Sequence, residues 1–135
     1  MPPYLLSPAE DRGDGVIVLE VQRAIRDSEV PRLIADLTAA MVAARRNGDP
    51  YRLIFDDRLE ARFSEKARRD LIDAMAAIRQ PGDRTAMLVT NSMMKLRLKA
   101  DMSSQGQAFI SELAALTWLN AWTEHSGQQI LTAAK

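Results

Sequence analysis

The chain contains no cysteine, which excludes disulfides and thiolate metal sites and is compatible with a reducing compartment. Its single histidine excludes a multi-histidine metal centre built by one chain. Charge of either sign is not in excess: 18 basic and 18 acidic residues cancel, so the global basic field of a nucleic-acid binder is missing. Aromatic residues are only 5% of the chain, and no aromatic platform for single-strand binding accompanies the basic clusters. No apolar run approaches the roughly 18 residues that span a bilayer. The opening MPPYLLSPAEDRGDG also lacks the basic-then-apolar order of a secretory signal. These absences lead us to expect a cytoplasmic protein with no transmembrane segment and no nucleic-acid partner.

Nor does a catalytic signature occur. There is no G-x-S-x-G elbow to present a nucleophile, no glycine loop to cradle phosphate and no metal-ligand spacing. We therefore expect no enzymatic activity, no cofactor and no bound metal.

What is present alternates between two periodicities. Tyr4 to Ser7 reads as a short strand, and DRGDG at 11–15 as the turn of a hairpin into Val16 to Val21. That second run, VIVLEV, is almost wholly apolar and β-branched, as in a strand buried on both faces. Ser28 is the expected N-cap of a helix with Pro31 near its start, on which Val30, Leu33, Ile34, Leu37, Met41 and Ala44 recur at helical spacing. Gly48, beside Asn47, suits the left-handed residue that follows a helix.

Tyr51 to Phe55 is the next strand, ending at Asp56 and Asp57, and Ser64 is the expected cap of a second helix with Ala67, Leu71, Ile72, Met75 and Ile78 inward. Ala86 to Val89 is a third central strand. The alternating stretch Met94 to Met102 reads as helix in preference to strand, because parallel neighbours need a crossover before the last strand at Gln107 to Ile110. Ser111 then caps a final helix with Leu113, Leu116, Leu119 and Trp122 on its apolar side, and 126–135 is expected to be a flexible tail. The order implies an α/β fold with a largely parallel sheet. We expect one domain over 1–135, with its core at about 10–124.

Two stretches carry a family resemblance. The strand YRLIFD, ending in Asp56 and followed by a loop and the serine-capped helix at Ser64, resembles the central strand and switch helix of STAS domains. FISELAALTWL, with Phe109, Ala115, Trp118 and Leu119, is similar to the ending of the SpoIIAA-like (anti-sigma-factor antagonist-like) members. The resemblance implies a four- to five-stranded mixed sheet with helices packed mainly on one face, and a role in regulated protein binding. Some members are also similar to Sec14-type domains that hold apolar ligands.

The residues that could carry function follow from both lines. The resemblance implies Ser64 as a phosphorylated switch, but the acid expected before it and the glycine after it are absent. On residue chemistry alone, Ser64 is an N-cap. Asp56 and Asp57 end a strand, where α/β proteins place binding groups, although neighbouring strand residues point to opposite faces and so do not converge on one cation. Arg62, with Arg58, Lys66, Arg68 and Arg69, makes the next loop and helix locally basic; Lys95, Arg97 and Lys99 form a second cluster.

Met93, Met94, Leu98 and Met102 are the expected wall of an apolar groove or self-contact, since methionine adapts to varied partners. His125 is read as a cation at a helix end, without catalysis. The expected function is a non-enzymatic STAS-like regulatory module that binds a protein partner or itself. The alternative is a carrier or sensor of a small apolar or lipid-like ligand in a Sec14-like pocket.

Overall fold

The computed structural model describes residues 2–11, 13, 15–45, 48–59, 63–99 and 106–120, the side chains of 97–99 excepted. The expected Trp122, His125 and tail 126–135 lie outside the described residues, as do Asn47, Arg62 and Met102. Five strands form one sheet in the order of the chain. They are β1 (Tyr4–Ser7), β2 (Ile17–Val21), β3 (Arg52–Asp56), β4 (Arg84–Leu88) and β5 (Gly106–Phe109). The hairpin pair β1 and β2 is antiparallel, and every later pairing is parallel. The parallel strands are joined through α1 (Val30–Ala44), α2 (Glu65–Ile78) and α3 (Ser92–Lys99), and a fourth helix, α4, covers 112–120. The α/β class and mixed sheet thus match expectation, and Met94–Lys99 is helical.

Register explains why the central runs carry so few charges. Ile17 lies beside Leu53, and Leu19 beside Phe55, which in turn lies beside Met87. These residues face α1 and α2, meeting Leu33, Leu37, Met41, Ala67 and Leu71. The alternate positions Val18, Ile54, Ala86, Leu88 and Phe109 point the other way, against Ala115 and Leu119 of α4. A parallel sheet covered on both faces needs apolar side chains at every position, which is what VIVLEV and RLIF supply. The covering helices are therefore divided: α1 and α2 share one face, whereas α4 occupies the other.

Three expected positions are corrected. Ser28 does not cap α1; it lies in a 3₁₀ turn, Asp27–Glu29, and the residue before the helix is Glu29. The turn forms there because the Glu29 carboxylate is already committed, accepting from both terminal nitrogens of Arg23 at 3.0 and 2.8 Å and from the Arg26 amide at 3.0 Å. Ile72 is exposed, because α2 meets the sheet through Ala67 and Leu71 and Ile72 lies about 100° further round. Leu113 is exposed for the same reason, since Ala115 and Leu119 fix the buried stripe of α4 and Leu113 falls on its far side.

At the end of the sheet where the parallel strands begin, a buried ion pair joins four segments. The Asp83 carboxylate, 1% exposed, is bound by Arg45, by the Tyr51 amide at 3.0 Å and by the Gln80 amide at 2.7 Å. Arg45 also donates to the Ile78 carbonyl at 2.6 Å and stacks over the Tyr51 ring, 5.3 Å from its centroid. The ends of α1 and α2 are thereby fixed to the starts of β3 and β4.

Removing one partner of a buried pair strands the other charge. Asp83→Asn should lower stability by about 3 kcal/mol in urea unfolding. Asp70→Asn, which breaks the exposed 2.8 Å pair with Lys66, should lower it by less than about 0.5 kcal/mol in the same assay.

Candidate functional site

The opposite end of the sheet gathers the loops after β2, β3, β4 and β5 and the first turns of the helices that follow. Parallel strands aim their carboxyl ends at this rim, and helix N-termini with unpaired amides face it. Side-chain oxygens cap the helices here. Ser64 Oγ accepts from the Ala67 amide at 2.9 Å, Asn91 Oδ1 from the Met94 amide at 3.0 Å, and Ser111 Oγ from the Ala114 amide at 3.0 Å.

Ser64 has a second bond. Its hydroxyl donates to Asp27 Oδ1 at 2.6 Å, tying the loop between β2 and α1 to the start of α2. One exposed hydroxyl thus uses its proton on one element and its lone pair on another. That loop is held further by the Arg23 and Glu29 pair described above, which lowers Glu29 from its ordinary 4.5 to about 2, chiefly through the Arg23 hydrogen bonds.

Asp56 and Asp57 separate as strand geometry requires. Asp56 lies in register between Glu20 and Leu88, on the face covered by α4. It is 7% exposed, and Arg58 clamps it with Nε at 3.0 Å and a terminal nitrogen at 2.7 Å. The Arg58 backbone amide adds a third bond at 3.1 Å. The hydrogen bonds that Arg58 donates to Asp56 raise the Arg58 pKa, and Glu112 and Glu20 act in the same direction. Asp57 instead joins β4 through its amide, which donates to the Leu88 carbonyl at 3.0 Å. Among the described residues no cluster of His, Cys, Asp or Glu side chains is arranged to hold a metal ion.

The expected apolar wall is only partly visible. Met93 is 66% exposed and Met94 half-buried, with its sulfur 3.6 Å from the Thr90 hydroxyl. The Leu98 side chain, Met102 and Arg62 lie outside the described residues. Sequence reasoning did not single out Asp27, the partner of Ser64, or Leu59 and Ile110, which stand exposed at the same rim. Asp27 carried a weak signal, being a short acid just ahead of a helix. Leu59 and Ile110 carried none, because an isolated apolar residue in a loop has no periodicity to betray it.

No protein-family model matches the chain, and neither the curated proteins nor the solved structures give a match. Among the described residues no helix is long and apolar enough to cross a membrane.

Two measurements follow from this geometry. Ser64→Ala should cost about 1 kcal/mol in urea unfolding, the usual effect of removing an N-cap, and Ser64→Thr should recover most of it. The depressed Glu29 carboxyl stabilises the fold fully above its unfolded pKa, and that contribution is lost as pH falls from about 4.5 through about 2. An NMR titration of the carboxyl carbons should place the Glu29 midpoint well below the ordinary glutamate value, and Arg23→Gln should return it toward that value.

Proposed function

We propose that this chain is a non-enzymatic STAS-like regulatory module in which Ser64 is the switch. The carrying observation is the pair of hydrogen bonds its hydroxyl makes, donated to Asp27 across the loop and accepted from the Ala67 amide within α2. A phosphate on this oxygen would remove the proton that Asp27 accepts and place about two negative charges beside Asp27 and Glu65. The N-terminus of α2 favours the anion, so the phosphate stays at the helix start and Asp27 is driven off. The loop between β2 and α1 would part from α2, changing the surface offered to a protein partner. The order of elements, with a serine-capped helix after the acid-ended third strand, supports the STAS-like reading, as do Ala115, Trp118 and Leu119 on the last helix. The Trp118 ring packs 5.5 Å from that of Phe109.

Affinity capture with the wild-type chain, Ser64→Ala and Ser64→Glu tests the proposal. A stoichiometric protein partner should distinguish Ser64→Glu from Ser64→Ala by at least about tenfold in affinity, equivalent to about 1.4 kcal/mol. Identical binding by all three chains would defeat it. So would native mass spectrometry showing a retained apolar small molecule and no partner, which is the outcome a carrier predicts.

A further inference from the structure

Without cysteine, the thioethers of seven methionines are the chain's only sulfur and the side chains most open to a two-electron oxidant. Their surroundings differ. Met41 is sealed in the core, Met75 and Met87 are half-buried against it, and Met93 is 66% exposed. Met94 is half-buried and stands in a closed ring of hydrogen bonds. Its amide donates to Asn91 Oδ1 at 3.0 Å, the Asn91 side-chain nitrogen donates to Thr90 Oγ1 at 3.3 Å, and the Thr90 hydroxyl donates to the Met94 sulfur at 3.6 Å. The first of these bonds caps α3, so the cap and the thioether hold each other in place.

Of the side chains at 92–96, Ser92, Met93, Lys95 and Leu96 are exposed, and Met94 alone is turned inward. A helix of eight residues is marginal by itself, so α3 depends on its cap and on this anchor. It packs beside β5, the last strand of the sheet. A helix beside an edge strand limits access to that strand's unpaired backbone groups.

We propose that Met94 is a redox latch on α3, released by a peroxide. A sulfur lone pair attacks one oxygen of hydrogen peroxide, and the S–O bond forms as the O–O bond breaks. The other oxygen leaves as water, and sulfur loses the two electrons that the peroxide gains. The product carries its acceptor on an oxygen one bond beyond the sulfur, so the Thr90 hydroxyl cannot keep its place and the ring that orients Asn91 opens. The half-buried side chain also becomes polar and chiral. Both changes act on the same turn: α3 frays and the edge at β5 is uncovered. Methionine sulfoxide reductases return the sulfoxide to the thioether, which makes the latch reversible. The latch lies apart from Ser64 and does not depend on the switch proposed there.

The full chain treated with hydrogen peroxide tests it, with peptide mapping to locate each sulfoxide and amide hydrogen exchange over 92–99. Once Met94 is oxidised, exchange over 95–99 should rise at least about fivefold, the equivalent of a lost N-cap, and sulfoxide reductase should reverse the rise. Met94→Leu nearly keeps the volume and removes the oxidisable sulfur. Its exchange rates should not change when peroxide is added, whereas Met93→Leu should respond as the wild-type chain does.

Unchanged exchange with Met94 fully oxidised would overturn the proposal. So would a Met94 that resists peroxide under conditions that oxidise Met93 completely. A Met94→Leu chain that loosens in peroxide as the wild-type chain does would also overturn it, by assigning the effect to another methionine.

Discussion

Strands β2, β3 and β4 are apolar toward both sides, and that constraint organises the rest of the molecule. A strand such as Ile17–Val21 cannot be stable with one face wet, because Ile17 and Leu19 look one way and Val18 the other. Helices α1 and α2 cover the first face, and α4 is then required on the second. Covering both faces leaves only the two ends of the sheet and its edges open to solvent. Polar side chains, caps and ion pairs consequently collect there.

The two ends are used differently. Where the strands begin, the Arg45 and Asp83 side chains bond to each other, to the Tyr51 and Gln80 amides and to the Ile78 carbonyl, which ties the ends of α1 and α2 to the starts of β3 and β4. Burial there lowers the pKa of Arg84 as well. Where the strands end, the bonds run through exposed groups such as Ser64, and large apolar residues remain uncovered. The first arrangement rigidifies. The second leaves a surface whose state can be altered at low cost.

Much of the architecture was legible because period and punctuation agree with packing. VIVLEV announces a doubly covered strand, Gly48 takes φ 82° after α1 as its position implies, and Ser64 and Ser111 are caps by both residue type and geometry. Two of the three failures share one cause: sequence spacing does not show which of several neighbouring helical positions faces the sheet. Ile72 and Leu113 therefore read as core, although Leu71 and Ala115 occupy those places. Of the candidate site, Ser64 and the divergence of Asp56 from Asp57 were legible. The partners Asp27 and Arg58 were not, because the bonds depend on how a loop folds back rather than on any repeat.

Ser64 has a kinetic consequence for the native ensemble. The Ala67 amide is protected by Ser64 Oγ, and the orientation of that oxygen is set by the proton it gives to Asp27. Fraying of the first turn of α2 and release of the loop between β2 and α1 are thus one opening event. Exchange of the single Ala67 proton with solvent is a clock for the loop as well as for the helix.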